Sequence, residues 1–190
     1  MLLGGDIGGT KTLLALAAAD EAGRIRPHFE RSYASREHSC FDGVLDRFLA
    51  EARDGGDGGD GGPIEAACLG VAGPVRSRQV QVTHLPWLLD ADDIARRLGG
   101  ARVQLVNDFA AAAAGVLDAD NLALETLQPG VQVAGAARLV LGAGTGLGVA
   151  ALSAIGRQWK VIAGEGGHIG FAPRDERQAR LRAWLAARDA

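Results

Sequence analysis

Gly4-Gly5-Asp6-Ile7-Gly8-Gly9-Thr10-Lys11-Thr12 decides how the rest of the chain is read. Two apolar residues, Leu2 and Leu3, lead into it, and Leu13-Leu14-Ala15-Leu16-Ala17 follows directly. The pattern is strand, tight turn, strand. Gly8-Gly9 is a two-residue hairpin signal, because both positions can take positive φ at little steric cost. A turn without side chains lets backbone N–H groups face an anion. Asp6 beside a phosphate makes sense mainly as the partner of a bound cation. The same residues also read as an ordinary hairpin whose Asp and Thr face water.

A second stretch repeats the pattern. Leu139-Val140-Leu141 runs into Gly142-Ala143-Gly144-Thr145-Gly146-Leu147-Gly148, and Val149-Ala150-Ala151-Leu152 leaves it. Neither turn carries the Gly-Lys-Ser/Thr of a P-loop at the required spacing. Neither is a dinucleotide fingerprint, since a strand and not a helix follows each. Two such hairpins far apart suggest two related lobes gripping one polyphosphate from both sides.

The residues from Gly5 to Thr12 and from Gly142 to Gly148 resemble the first and second phosphate motifs of sugar kinases in the actin and hexokinase superfamily. Thr83-His84-Leu85-Pro86-Trp87, Val106-Asn107-Asp108-Phe109 and Gly164-Glu165-Gly166-Gly167-His168-Ile169-Gly170-Phe171-Ala172-Pro173 follow in the same order as in that family. The combination is similar to the hexokinase-like bacterial glucokinases. The resemblance implies an α/β fold: an actin-like ATPase (ribonuclease H-like) lobe over residues 1–117 and the first part of a second such lobe over residues 118–190. It implies ATP-dependent phosphorylation of glucose at the 6-hydroxyl, with ATP and Mg²⁺ as cofactors, in the cytoplasm. A homodimer is one assembly open to such a chain. The family's adenosine-binding segment and a further sugar-contacting glutamate have no counterpart in these residues. A non-catalytic sugar-binding fragment or sensor, or a kinase for a related hexose, is therefore the alternative.

Composition narrows the function classes. The chain has 190 residues, 47% of them hydrophobic, as expected of a core-forming protein of one large or two small domains. A formal net charge of -3 provides no basic field for nucleic acid. The start of the chain lacks a basic n-region and reaches Asp6 early, unlike a signal peptide, and no apolar run approaches the ~18 residues of a membrane span. Cys40 and Cys68 have neither metal-site nor redox-pair spacing. Cys68 lies in an apolar run and is expected to be a buried, inert thiol.

In chain order, residues 23–33 read as a third strand. Phe41, Val44, Leu45, Phe48, Leu49 and Ala52 recur at helical spacing after a capping box at Ser39-Cys40-Phe41-Asp42. Residues 54–62 form a Gly/Asp loop. Residues 64–71 predict a buried strand and residues 80–82 a short one. His84 stands where the glucokinase pattern has Asn, and reads either as a departure in the site or as a half-exposed strand-end residue. Pro86-Trp87 predicts a packed turn. Asp90 opens a helix that Gly99-Gly100 ends. Residues 102–106 predict a strand and residues 109–117 a helix. Three further strands are expected at 137–141, 148–152 and 159–162. A last helix opens at Asp175, with Leu181, Trp184 and Leu185 on its apolar face.

Asn107 and Asp108 lie where a strand gives way to a helix, so either makes a good N-cap. Only one cap is needed, and the other side chain then projects from the carboxyl edge of the sheet, where open α/β sheets bind ligands. The resemblance gives Asp108 the role of catalytic base and places Asn107 on the sugar. Glu165 and His168 offer acceptor and donor groups for sugar hydroxyls, or are solvated side chains of a surface loop. By resemblance they join Asn107 and Asp108 as glucose contacts. The expected nucleotide contacts are Gly5, Asp6, Ile7, Gly8, Gly9 and Thr10, with Gly144, Thr145 and Gly146. Asp6 also serves Mg²⁺ indirectly.

Overall fold

The computed structural model describes residues 1–190 except 22, 55–61, 118–123, 145 and 189–190. Most of the expected 54–62 loop and Thr145 lie outside the described residues, as does the start of the expected second lobe at residue 118. The first two strands, β1 (Leu2–Ile7) and β2 (Lys11–Ala19), pair antiparallel with Ile7 opposite Thr12. β3 (Ile25–Ala34) continues the meander, and a single helical turn, Ser35–Glu37, follows it.

Helix α1 (Phe41–Asp54) buries Phe41, Val44, Leu45, Phe48 and Ala52, with Leu49 half-buried beside them. Each such fully buried large side chain contributes about 1.5–3 kcal/mol. The Phe48 ring meets Phe29 of β3 at 5.3 Å between centroids, which ties the helix to the sheet. β4 (Ala66–Val71) then pairs parallel with β1. After a β5–β6 hairpin (Gln79–Gln81 and Leu88–Asp90) and α2 (Ala91–Arg97), strand β7 (Arg102–Asn107) pairs parallel with β4. The sheet order is β3-β2-β1-β4-β7. α2 starts on the Asp90 carboxylate and ends at Gly99, φ +73°, as its capping residues require.

Helix α3 (Asp108–Gly115) follows β7 without a loop. β8 (Arg138–Ala143), β9 (Leu147–Ile155) and β10 (Gln158–Gly164) form a separate antiparallel sheet in the order β10-β9-β8. That order repeats the β3-β2-β1 meander of the first sheet. α4 (Glu176–Ala186) opens on the Asp175 carboxylate, which accepts the Gln178 N–H at 2.8 Å.

Several expectations are corrected. Cys68 is exposed. Strand alternation turns Ala67, Leu69 and Val71 into the core, and Cys68 faces the other way between Gly4 and Gln104, its register partners. Gly4 carries no side chain to cover it. The turn around Trp87 leads into strand β6, which the short Leu88-Leu89-Asp90 run did not signal. Trp87 is buried and donates its indole N–H to the His38 carbonyl at 3.1 Å. Leu181, Trp184 and Leu185 of α4 are exposed, so the expected apolar face has no cover among the described residues. His84 is exposed in the β5–β6 turn at φ +64°, a left-handed conformation that Asn and His adopt more readily than most residues.

Candidate active site

The first turn is a strand-turn-strand hairpin, but its glycines act differently from the expectation. Neither Gly8 nor Gly9 is among the residues with positive φ. The Gly8 N–H closes the turn on the Lys11 carbonyl at 2.9 Å. Gly9 is required by contact, since a Cβ there would come 2.9 Å from the Thr83 carbonyl oxygen. Ser35 braces the turn from the other side. Its hydroxyl donates to the Gly8 carbonyl at 2.8 Å and its N–H to the Thr10 carbonyl at 3.0 Å. The N–H groups of Gly9 and Thr10 have no protein acceptor among the described residues.

At the β7–α3 junction, Asn107 is the N-cap. Its Oδ1 accepts the Ala110 N–H at 3.2 Å, and its Nδ2 reaches the Gly73 carbonyl at 3.5 Å. Asp108 is thus released from the capping position, although its Oδ1 accepts the Phe109 N–H at 2.9 Å. A cleft of about 400 Å³ opens here, lined by Gly5, Asp6, Gly70, Asp108, Phe109 and Ala111 among others. A larger hollow of about 530 Å³ lies elsewhere, between β3 and α1 around Tyr33, Arg47 and Glu51, and holds none of the expected site residues.

Both cleft carboxylates are held above the ordinary aspartate value. For Asp6 the main cause is lost hydration, with the Asp108 charge adding to it and Lys11 opposing it. For Asp108 it is again lost hydration, opposed by the Phe109 N–H and reinforced by the Glu165 charge. Glu165 therefore lies within electrostatic reach of Asp108, and its carboxylate is 3.7 Å from His168 Nε2. Asp6 and Asp108 share the cleft, whereas Glu165 and His168 are not among its lining residues. Among the described residues, no three acidic, His or Cys side chains form a metal cage. Mg²⁺ commonly uses one or two carboxylates plus phosphate oxygens, and the oxygen donor of Asp6 beside the free turn amides fits that chemistry.

The second turn also joins strand to strand, with Gly142 opposite Gly148. Its glycines divide by job. A Cβ on Gly142 would lie 2.7 Å from Phe109 Cζ, and one on Gly148 would fall inside the same ring. Phe109, next to Asp108, thus seats α3 on the hairpin of the second turn. Gly144 and Gly146 face open space, although the Gly144 N–H is already bonded to the Gly146 carbonyl at 2.8 Å. Neither lines the Asp6–Asp108 cleft. Gly166 and Gly167 approach β9 rather than a ligand: a Cβ on Gly166 would sit 3.0 Å from Val149, and one on Gly167 would collide with the Leu147 carbonyl. That contact fixes the helical turn Gly166–His168 beside the second hairpin.

A glucokinase family model matches residues 3–189. The chain belongs to the glucokinase family. It is 37% identical over 185 residues to the glucokinase of Trichormus variabilis, covering 97% of this chain and 52% of that one. A glucokinase from an Antarctic psychrotroph superposes with a TM-score of 0.74 at 26% identity, over 98% of this chain and 56% of the other. The glucokinase of Balamuthia mandrillaris, solved in complex with glucose, also gives 0.74 at 24% identity, over 97% and 53%. The fold is that of the actin-like ATPases. The chain spans about half the length of the curated relatives it matches.

Proposed function

We propose that this chain supplies the sugar and phosphate cleft of an ATP-dependent glucokinase, which phosphorylates the 6-hydroxyl of glucose. The observation that carries this reading is the division of labour at the β7–α3 junction: Asn107 caps the helix, and Asp108 is left facing the cleft beside Asp6. Asp108 accepts the proton of the attacking hydroxyl, and its raised basicity suits that task. Asn107, Glu165 and His168 orient the sugar. The first turn, Gly5 to Thr10, and the tip at Gly144, Thr145 and Gly146 bind the phosphates, the first turn through its unengaged Gly9 and Thr10 N–H groups.

Mg²⁺ bound with ATP supplies positive charge for the transferring phosphoryl group, and Asp6 would hold it indirectly. In this reading the two sheets belong to two actin-like lobes, residues 1–117 and 118–190, and the reaction is cytoplasmic. The test is a coupled assay for glucose-dependent ADP release. It is run on the 190-residue chain and on a chain extended to the length of its relatives. Activity of the extended chain that Asp108→Asn abolishes supports the proposal. Sugar binding without ADP release from either chain favours a sugar-binding module, a reading that the half-length match keeps in view.

A further inference from the structure

The β5–β6 turn is pressed against the tip of the first Gly turn. A Cβ on Gly9 would lie 2.9 Å from the Thr83 carbonyl oxygen and 3.5 Å from His84 Cβ. Backbone bonds fix this contact: the Ala72 N–H donates to the Ile7 carbonyl at 2.9 Å, and the Thr83 N–H to the Ala72 carbonyl at 2.8 Å. On the far side, the Gln81 side-chain amide holds the carbonyls of Leu85 and Trp87 at 2.9 and 3.0 Å, with the Trp87 ring buried. His84 is therefore held in place at φ +64°, while its side chain is exposed. Gly9 packs against it, and the Gly9 and Thr10 N–H groups have no protein acceptor among the described residues.

An anion seated on those two amides would lie next to an imidazole, which always carries at least one N–H donor. Lys11 flanks the same turn, and its charge reaches Asp6, where it opposes the charge of Asp108. We propose that His84 is a phosphate-positioning residue, whose ring N–H donates to a terminal phosphate oxygen held on the Gly9–Thr10 amides. The inference rests on the reading of the first turn as a phosphate turn. The phosphate is either the end of a polyphosphate or the ester of a phosphorylated sugar.

The test uses two substitutions that both tolerate a left-handed backbone, His84→Asn and His84→Gly. They separate the side chain from the turn conformation. The 190-residue chain is titrated with magnesium tripolyphosphate and, separately, with glucose 6-phosphate. Amide resonances of Gly9 and Thr10 and the His84 ring are followed by NMR. The expected result is joint movement of ring and amides with one of the two probes, which identifies the source of the phosphate. His84→Gly should then bind that probe roughly tenfold more weakly at an unchanged Tm, the worth of one hydrogen bond to a charged group, with His84→Asn between. Amide shifts with equal affinity in all three proteins, or a loss of binding that follows a fall in Tm, would overturn the role of His84 and leave the turn reading intact. No amide or ring shift with either probe overturns both.

Discussion

The hydroxyl oxygens of Thr12 and Ser35 lie 2.9 Å apart, and both residues are wholly buried. Because Ser35 donates to the Gly8 carbonyl, Thr12 must be the donor to Ser35. The relay runs from the second residue of β2 through the helical turn after β3 to the first Gly turn. It is a buried polar network in which every member has a partner.

Ser35→Ala leaves the Thr12 hydroxyl and the Gly8 carbonyl without this partner. A loss of about 1–3 kcal/mol in urea unfolding is expected. Thr12→Val removes the far end of the relay and should cost less once Ser35 is already gone. A double-mutant cycle checks this, and strictly additive losses would refute a coupled relay.

Gly148→Ala should be among the most damaging single-methyl changes in the chain, since the new Cβ has to displace the Phe109 ring. A cost of at least about 1–3 kcal/mol is expected for such overpacking. Gly144→Ala, with nothing near its Cβ, is the matched control and should leave Tm nearly unchanged. Phe109→Ala in the Gly148→Ala background should recover part of the loss. Equal Tm values for the two glycine variants would contradict the division of the second turn into packing and open positions.

Much of this arrangement was legible in the sequence because it is local. Alternation around Gly4 to Thr12 and around Gly142 to Gly148 marked both hairpins, and the period of Phe41, Val44 and Phe48 marked α1. The Asn107-Asp108 pair also showed that one side chain would be spared from capping, though not which. Contacts between distant segments were not legible. Nothing near Ser35 announces that it will lie under Gly8, or that Thr83 will press on Gly9. The packing role of the glycines at 142 and 148, at the ends of the second phosphate-motif stretch, was not legible, because a missing side chain looks the same whether a ligand or Phe109 fills the space. Cys68 was misplaced for the opposite reason: an apolar run suggests burial on both sides, and the face toward Gly4 is open.

Asp108→Asn separates stability from chemistry. The Asp108 carboxyl titrates above its ordinary value of 3.8 in the folded chain, chiefly through lost hydration. A raised acid favours folding below the unfolded value, and that stability is lost as pH rises through the folded value. Removing the carboxylate should therefore raise Tm at about pH 7, and the gain should shrink as pH falls toward about 4. In the chain extended to family length, kcat should drop by about two to four powers of ten. A lower Tm with kcat retained would make Asp108 a structural residue only.

Glu165→Gln and His168→Ala should each raise KM for glucose by roughly tenfold in the extended chain, the worth of a hydrogen bond to a polar ligand group. KM for ATP should change less, because the Glu165 charge acts on Asp108 and His168 is paired with Glu165. Steady-state kinetics with each substrate varied in turn decides this, and a larger effect on ATP would reassign the pair.

The 190-residue chain studied by itself should self-associate through its second sheet. One face of that sheet packs on α3, with Ala150 and Leu152 buried beside Ala113. On the other face Leu139 and Ile162 flank Ala151 in register and are 69% and 49% exposed, with Leu141 64% exposed in the next row. Among the described residues β8 is also an edge strand, so backbone groups without a strand partner accompany the apolar side chains. That combination favours edge-to-edge pairing. α4 adds Trp184, 55% exposed, with Arg188 stacked on its ring. Leu139→Lys with Leu141→Glu places charges on that face at sites already in water, so the fold should tolerate both. Sedimentation velocity should show concentration-dependent oligomers for the unmodified chain and a monomer for the double variant, at nearly the same Tm. A monomer in both cases would show that the exposed face is not adhesive, and oligomers unaffected by the two charges would place the contact elsewhere.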